Sequence, residues 1–254
     1  MRFAGANHTI RTLHPTTDIQ ISNRYQRCWQ NINSSKTGVK ISVIGMVCSS
    51  IGIDSADKQE NIKVLNQAID LGCTFWDSAD IYDNGANEIL FSKVLKDHHN
   101  ELFLCTKFGI IRGPNGEFSV SDPNTTIEDT IGALAELVKE GKIKYISLSE
   151  CSADTFQQAY KVHPIAAIQI ECIPWTFDIE ISGIVKGVTP GQLCLSWILA
   201  QGDNMIVIPG TRKIKHFEGN VEAVKVKLSS EELAEIRQII NSIEIIGNRY
   251  NDFL

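Results

Sequence analysis

The sequence predicts an α/β fold in which parallel strands form a sheet with helices outside it. Two observations lead to this fold class. Short apolar runs rich in β-branched residues alternate along the chain with longer segments of helical periodicity. Polar residues gather directly after several of these runs, and that edge of a parallel sheet is where α/β proteins bind ligands. The 254 residues are enough for one domain with a substantial core.

Six strands and six helices are expected along the chain. The predicted strands are the apolar runs 41–47, 73–77, 102–106, 144–149, 165–170 and 205–208. The helical patterns cover 62–69, 87–95, 127–138, 153–163, 190–200 and 230–240, and Gly72 is expected to end the first helix. The segment 109–122, which contains Gly-Pro-Asn-Gly, is predicted to be a loop.

Two helix starts carry residues that are typical of N-terminal caps. Thr126 precedes one helix, with Asp129 at the N3 position of a capping box. Another helix begins with Thr189 at the N-cap, Pro190 at N1 and Gln192 at N3. These signals locate the helix starts independently of the apolar periodicity.

Composition argues against several classes of function. The net charge of -6, with no basic stripe, argues against a nucleic-acid-binding surface. No apolar run approaches the 18 or more residues of a membrane span. The seven cysteines are scattered and never in C-x-x-C spacing, which is typical of thiols used as small apolar residues in a reducing compartment. We therefore expect a cytoplasmic protein without a metal, nucleic-acid or membrane partner.

Residues 1–40 differ from the rest of the chain. They contain six basic residues and one acidic residue, whereas residues 41–254 contain 18 basic and 29 acidic residues. They are rich in Ser, Thr and Asn and have no steady period. We therefore expect a poorly structured N-terminal extension at 1–40 and a single domain at 41–254. Because Arg- and Ser-rich segments poor in acids also direct import into mitochondria, a transit peptide is the alternative.

The most specific motif of the chain lies at Thr74–Glu88. The sequence FWDSADIYDNGANE within it resembles the signature of the aldo-keto reductases, and the resemblance extends from about residue 41 to residue 250. The resemblance implies a (β/α)8 TIM barrel that uses NADPH to reduce aldehydes and ketones. It also implies a small carbonyl substrate, as in the subgroup that acts on pyridoxal and other aldehydes.

Two joints of the chain are shorter than the family pattern. After Lys107 the family has a helix and a further strand, but here the loop at 112–120 leads directly to SDPNTTIEDT. After Glu180 the family has another helix, a strand and a long loop, but IEISGIVKG leads directly to Thr189. We therefore expect an incomplete barrel with about six of its eight strands. A wrong gene model or an exon-skipping transcript explains the gaps, and a shortened protein with its own role is the alternative.

By the resemblance, Asp77, Tyr82 and Lys107 are three of the family's four catalytic residues. Hydride transfer to a carbonyl carbon leaves an oxygen that needs a proton, and tyrosine is a weak acid at neutral pH. A lysine ammonium next to the tyrosine stabilises its anion, and an aspartate holds the lysine in place. Without the motif, the same residues would be read as a buried Asp–Lys pair and a surface tyrosine.

The fourth catalytic residue of the family is a histidine at the end of the strand after that of Lys107, and this strand is missing. The histidines of the chain lie in the N-terminal extension, before predicted strands or in the cofactor segment: His8, His14, His98, His99, His163 and His216. None is expected to substitute. We therefore expect carbonyl reduction to be impaired or absent, which would make the chain a pseudoenzyme.

The segment IPGTRKIKHFEGN at 208–220 resembles the family's adenosine-phosphate loop. A glycine, a hydroxyl and two cations at a helix start suit an anionic phosphate. The expected NADPH-binding residues in and after this loop are Gly210, Thr211, Arg212, Lys213, His216 and Asn220. By the resemblance, Ser149 and Gln169 bind the nicotinamide carboxamide. An ordinary basic helix start is the alternative.

Two rivals to a reductase stay open at this point. The first is a non-catalytic protein that binds NADPH or regulates a partner, as some members of the family do. The second is a fragment that does not fold stably, because a six-stranded remnant would expose strand edges and core. The preference for NADPH over NADH, the particular carbonyl substrate and the oligomeric state also stay open.

Overall fold

The computed structural model describes residues 8–12, 41–47, 58–115, 118–120, 122, 124–171 and 187–242. No helix in these ranges is long and apolar enough to cross a membrane. In chain order the elements are β1 His8–Thr12, β2 Met46–Val47, α1 Lys58–Asp70, β3 Phe75–Asp77, α2 Ala86–His98, β4 Phe103–Cys105, β5 Ile110–Arg112, β6 Phe118–Val120, α3 Ile127–Lys139, β7 Ser147–Ser149, α4 Ala153–Val162, β8 Ala167–Glu171, α5 Pro190–Leu199, β9 Met205–Ile208, α6 Ile214–Glu222 and α7 Ser230–Ser242.

Seven of the strands form one continuous run of neighbours, in the order β7–β8–β1–β9–β2–β3–β4. The segment before β2 joins β9 through a parallel bridge, in which Gly45 N donates to Val207 O and Val207 N donates to Val43 O, each at 2.9 Å. Within the described ranges no pairing joins β4 to β7, so the run stays open at that joint. This arrangement agrees with the incomplete barrel that the sequence predicts.

Strand β1 is the member of this run that the sequence analysis does not predict. It lies antiparallel between β8 and β9, with His8 opposite Glu171 and Ile208 and with Thr12 opposite Ala167. The other six strands of the run are mutually parallel. Residues 8–12 therefore have a defined place in the sheet, while the rest of the expected extension at 1–40 lies outside the described residues.

The segment 109–122 is not the plain loop that the sequence predicts. Strands β5 and β6 pair antiparallel, with Ile110 opposite Val120 and Arg112 opposite Phe118. Residues 113–115, which favour a turn, follow β5 directly, and the antiparallel pairing of β5 with β6 makes the two strands a hairpin. A turn signal by itself does not tell a loop from a hairpin, because the pairing depends on the two flanking segments meeting.

The two ends of the run of strands from β7 to β4 have largely separate hydrophobic cores. The main core packs β9, β2, β3 and β4 against α1, α2, α5, α6 and α7. Trp76 on β3 and Phe91 on α2 are fully buried there, with ring centroids 5.3 Å apart. A smaller cluster packs α3 and α4 against the β7–β8 side, and its buried members are Ile131, Ile146, Ala159 and Ile165.

The predicted helix caps are confirmed. Thr126 Oγ1 accepts a hydrogen bond from Asp129 N at 3.1 Å, which confirms the cap, while the Asp129 carboxylate accepts from the Thr126 hydroxyl at 2.8 Å. Thr189 and Gln192 form a reciprocal capping box with Pro190 in the first turn. Gly72 ends α1 with a φ of 78°, a left-handed conformation that glycine adopts without strain.

We expect Gly45→Ala to lower the free energy of unfolding by about 1–3 kcal/mol, as overpacking of a filled core does. An added Cβ would lie 2.5 Å from Phe75 O, 2.8 Å from Phe75 Cδ1 and 3.0 Å from Ile208 Cγ2. Urea unfolding measures the change. Gly132→Ala on α3 is the control, because its Cβ would meet no atom within 4 Å and alanine favours a helix. Equal midpoints for Gly45→Ala and the unaltered chain would refute the close approach.

Candidate active site

The three predicted catalytic residues lie together at the C-terminal ends of β3 and β4. Asp77 is the last residue of β3, and Lys107 follows the end of β4 by two residues. The strands are parallel, with Asp77 paired to Cys105, so both chain segments leave the sheet at the same edge. Tyr82 begins a short 3-10 turn, Tyr82–Gly85, on the way from β3 to α2.

The ammonium of Lys107 is the centre of this cluster. Its Nζ forms an ion pair with Asp77 Oδ2 and donates to Ser78 O at 2.7 Å. It also lies over the ring of Tyr82, 5.1 Å from the ring centroid. The Asp77 side chain is 1% exposed and that of Lys107 is 23% exposed. The carboxylate is thus enclosed, whereas the ammonium can be approached from solvent.

Burial and charge set the protonation states of the cluster. Burial raises the pKa of Asp77, while the Lys107 ammonium and the Gln169 amide act in the opposite direction. Burial by itself would lower the pKa of Lys107, but Asp77 and Tyr82 outweigh it and raise that pKa above its ordinary value. Lys107 is therefore protonated at neutral pH. Burial also raises the pKa of the Cys105 thiol, so Cys105 is a neutral thiol and no nucleophile.

Backbone hydrogen bonds hold the two loops of the cluster together. Ser78 N donates to Cys105 O at 2.9 Å, and Asp80 N donates to Lys107 O at 3.0 Å. The loop after β3 therefore continues the pairing of β3 with β4 beyond the ends of the strands. This continued pairing keeps the Lys107 side chain beside Asp77.

The chain reverses its direction after Tyr82 through three residues in the left-handed backbone conformation. Asp83 and Asn84 have φ values of 51° and 52°, and Gly85 has a φ of 84°. Asp, Asn and Gly are the residues that adopt this conformation most readily. The local sequence of the motif therefore favours the turn that presents Tyr82, and Tyr82 N donates to Ala79 O at 3.1 Å.

Two polar side chains of α2 support these loops, and the sequence analysis did not include them in the site. Ser78 Oγ donates to Asn87 Oδ1 at 2.6 Å, and Asn87 is fully buried. Thr106 Oγ1 donates to Glu88 Oε1 at 2.6 Å. Asn87 and Glu88 belong to the FWDSADIYDNGANE motif, so the motif contained the signal. Their partners depend on how α2 packs against β3 and β4.

Gln169, which was predicted to bind the nicotinamide, reaches into the same cluster. Its side chain is buried, and Nε2 donates to Asp77 Oδ2 at 3.3 Å. Ser149 lies opposite Gln169 in the parallel register and is exposed at the end of β7. Glu150 follows with a φ of 51°, and its Oε1 accepts from Glu171 N at 2.7 Å. The contact between Gln169 and Asp77 joins β8 to the cluster of Asp77, Tyr82 and Lys107.

The predicted phosphate loop connects β9 to α6. Thr211 is buried, and its Oγ1 accepts from Lys213 N at 3.2 Å. The hydroxyl that the sequence analysis assigned to phosphate thus holds the loop in shape. Lys213 is the N-cap residue of α6, and no side chain caps that helix end. Arg212 and Lys213 are exposed beside it, which places two cations at an uncapped helix N-terminus.

The remaining predicted cofactor residues flank this loop. Gly210 lies between β9 and the loop and is half-buried. His216 is exposed in the first turn of α6, and Asn220 is half-buried one turn later. Residues four apart lie on the same face of a helix, so His216 and Asn220 share a face of α6.

The histidines of α2 and α4 do not approach the cluster in the described part of the chain. His98 Nδ1 lies 2.9 Å from Glu101 Oε1, at the N-terminal side of β4. His163 Nδ1 lies 2.9 Å from Pro164 O, at the N-terminal side of β8. Both positions agree with the expectation that these histidines fall on the wrong side of the sheet.

His8 has a different position from the one that the sequence suggests. It was placed in an extension apart from the barrel, but its backbone lies in β1 opposite Glu171 and Ile208. These two residues end β8 and β9, so His8 lies at the same edge of the sheet as the cluster. The residue His14 lies outside the described ranges.

The sequence of this chain is similar to those of known proteins. The model of the Aldo/keto reductase family matches residues 43–121, 117–186 and 180–241. The chain belongs to the aldo/keto reductase family. It is 37% identical to aldo-keto reductase str7 of Strobilurus tenacellus, over 78% of this chain and 86% of that protein. It is 31% identical to aldo-keto reductase yakc [NADP(+)] of Schizosaccharomyces pombe, over 83% of this chain and 92% of that protein.

Solved structures of aldo-keto reductases share the fold. The thermostable aldo-keto reductase Tm1743, in complex with the inhibitor epalrestat, gives a TM-score of 0.67 at 24% identity and covers 80% of this chain and 97% of its own. An aldo/keto reductase from Klebsiella pneumoniae, in complex with NADP and acetate, gives a TM-score of 0.67 at 18% identity and covers 84% of this chain and 96% of its own. These similarities confirm the predicted aldo-keto reductase barrel.

The alignment with str7 also shows that this chain lacks residues that str7 has. It extends over 291 positions, while 78% of this chain's 254 residues is about 198, so about 90 positions have no residue in this chain. The family model likewise matches in three pieces. Both observations agree with the two short joints that the sequence analysis identified.

We expect Lys107→Met to lower the free energy of unfolding at pH 7 by about 3–5 kcal/mol, because it leaves the buried Asp77 carboxylate without its cation. The pKa of that carboxyl group is then raised further in the folded state. Protonation therefore stabilises the folded variant, and the loss should shrink as the pH falls from 7 to 5. Urea unfolding at both pH values measures the effect.

The control for this prediction is Lys142→Met. Lys142 pairs with Glu140 at 2.7 Å, but both side chains are more than half exposed. Exposed pairs contribute little, so the unfolding midpoint should barely move at either pH. If both variants lost the same stability, the Asp77–Lys107 pair would have no special role.

Proposed function

We propose that this chain is an NADPH-dependent oxidoreductase that reduces small aldehydes or ketones to alcohols. The observation that carries the proposal is the contact of one ammonium, that of Lys107, with both Asp77 and Tyr82 at the C-terminal ends of parallel strands. Membership of the aldo/keto reductase family supports oxidoreductase chemistry. The NADP(+) in the name of the related protein yakc supports the cofactor.

Tyr82 is the proton donor in this proposal. NADPH, when bound, supplies the hydride that adds to the carbonyl carbon. The carbonyl oxygen then takes the proton of the Tyr82 hydroxyl, which gives the alcohol and leaves a phenolate. The Lys107 ammonium stabilises this phenolate at close range, and the Asp77 carboxylate keeps the ammonium charged and in place.

The residues at the start of α6 fit the phosphate part of the cofactor. An uncapped helix N-terminus with the cations of Arg212 and Lys213 beside it suits an anion. Ser149 and Gln169 would hold the nicotinamide carboxamide at the other end of the cofactor. Because Gln169 Nε2 donates to Asp77, Gln169 would offer its amide oxygen to the carboxamide N–H.

We further propose that reduction is slow in this chain. The family's histidine that orients the carbonyl belongs to the strand after that of Lys107, and about 90 aligned positions of str7 have no residue here. Among the residues that the structure describes, no strand pairs at the joint between β4 and β7, where that strand would lie, and this supports its loss. The same joint favours the second candidate function, a shortened protein that binds NADPH without turning over a carbonyl.

The proposed reductase is cytoplasmic, with no nucleic-acid or membrane partner. The scattered cysteines and the net charge of -6 support this location and partner class. A small carbonyl compound is then the expected substrate. The small carbonyl substrate and the absence of nucleic-acid and membrane partners are parts of the same proposal, and evidence against the reductase activity would also count against them.

NADPH binding and turnover of an aromatic aldehyde test the proposal together. We expect the unaltered chain to bind NADPH by fluorescence titration and to turn over slowly. Tyr82→Phe should keep the binding and lose at least about 100-fold of the turnover, the range of a general acid. Tyr160→Phe, an exposed tyrosine of α4, should change neither. Turnover that survives Tyr82→Phe refutes the proton donor, and binding without any turnover supports the non-catalytic candidate.

We expect Lys213→Ala to weaken NADPH binding about tenfold, because it removes a charge-assisted contact to phosphate. Binding of NADH, which lacks the extra phosphate, should weaken less. Lys215→Ala is the matched control, since this lysine is exposed in the first turn of the same helix. The same loss for NADPH and NADH, or the same loss in both variants, would argue for an ordinary basic helix start.

A further inference from the structure

The two sides of the proposed site belong to different halves of the molecule. Asp77, Tyr82 and Lys107 stand on the half with the main core, which contains β9, β2, β3 and β4. Ser149 and Gln169 stand on β7 and β8. The smaller cluster packs α3 and α4 against β7 and the segments that precede β7 and β8, while Ala167 of β8 is buried in the main core. A site made of both sets requires the two halves to keep a fixed relative position.

Within the described ranges, β1 provides the strand pairing that joins these halves. Its five residues pair with β8 along 167–171 on one side and with β9 along 205–208 on the other. The halves also meet at the joint between β4 and β7, where the rings of Phe103 and Tyr145 stack 6.0 Å apart without strand pairing. Removal of β1 would therefore leave the two halves without a shared sheet.

The position of β1 coincides with one of the two short joints of the chain. Consecutive strands of a parallel barrel are neighbours, but β8 and β9 are separated by β1. The sequence between β8 and β9 is also where the second family strand is predicted to be lacking. The antiparallel direction of β1 is compatible with this position. Strand β1 ends with Thr12 at the N-terminal edge of the sheet, and Ile41, which leads into β2, lies at the same edge.

Strand β1 also lies next to the residue that connects the halves chemically. Ile10, its central residue, pairs with Gln169 on one side and with Ile206 on the other. Gln169 in turn donates to the Asp77 carboxylate. The register of β1 therefore bears directly on whether Gln169 is held within reach of Asp77.

We propose that β1 is a surrogate barrel strand: the N-terminal segment takes the place of the strand lacking between β8 and β9 and assembles the site from its two halves. The N-terminal segment is then a functional part of the domain and no dispensable extension. A product that starts after residue 12, or one that loses these residues by proteolysis, would keep Asp77, Tyr82 and Lys107 together but release Gln169 and Ser149 from them. The consequence for NADPH rests on the proposed function.

Hydrogen exchange of the backbone amides in full-length Ile10→Pro tests this role. Proline removes a backbone donor and is not accommodated in the middle of a central strand. The amides that face β1 are those of Ile168, Ile170, Ile206 and Ile208, because Val207 N donates to Val43 O and Glu171 N donates to Glu150 Oε1. These four amides should exchange at least about tenfold faster, while the buried amides of α1 keep their protection. Ile10→Val, which keeps the donor and the β-branched shape, should match the unaltered chain. Unchanged protection of both strands in Ile10→Pro overturns the proposal.

A second arm avoids the case in which Ile10→Pro prevents folding altogether. A site for a specific protease is inserted between Thr12 and Ile41, and the chain is cleaved after folding. The N-terminal fragment should elute with the rest of the chain, and its release in mild urea should speed up exchange of the amides of Ile168, Ile170, Ile206 and Ile208. A fragment that leaves without any such change overturns the proposal. Exchange is measured without cofactor, so a failure to bind NADPH refutes only the proposed function.

Discussion

The ion pair between Asp77 and Lys107 is the constraint on which the rest of the site depends. A carboxylate that is 1% exposed costs several kcal/mol unless a cation and hydrogen bonds replace its lost water. Lys107 meets that need only if the loops after β3 and β4 run side by side. The hydrogen bonds from Ser78 N to Cys105 O and from Asp80 N to Lys107 O hold them in that arrangement. The ammonium that neutralises the carboxylate is then also in contact with Tyr82.

The open edges of the sheet are a second constraint. A barrel that loses strands exposes rows of unpaired backbone groups, which proteins cover, shorten or pair. At the joint between β8 and β9 this chain pairs both edges with a segment from its own N-terminus. At the joint between β4 and β7 the described residues offer side-chain stacking instead of strand pairing. The strand edges at the two joints are therefore covered in different ways, by strand pairing at one and by side-chain stacking at the other. Both joints extend to the C-terminal edge of the sheet, where the site lies.

Much of the fold and of the site follows from local sequence. The strand at Phe75–Asp77, the capping box at Thr189 and the left-handed turn after Tyr82 each depend on neighbouring residues in the chain. For this reason they could be predicted without a structure. The hairpin of β5 and β6 was not predicted, because its pairing depends on two segments that meet across a turn. The hydrogen bond from Lys213 N to Thr211 Oγ1 was not predicted for a similar reason, since the sequence does not show which group a hydroxyl contacts.

The sequence by itself determined the family, the alternation of strands and helices, and the candidate roles of Asp77, Tyr82 and Lys107, because these are carried by contiguous motifs. Only the tertiary structure decided that Gln169 contacts Asp77, that Asn87 supports Ser78 and that residues 8–12 complete the sheet between β8 and β9. The physical reason is the distance along the chain. The local sequence of a strand does not indicate which strands it will pair with. The partners of β1 lie more than 150 residues away in the chain. Without β1, the facing edges of β8 and β9 would lack these hydrogen bonds.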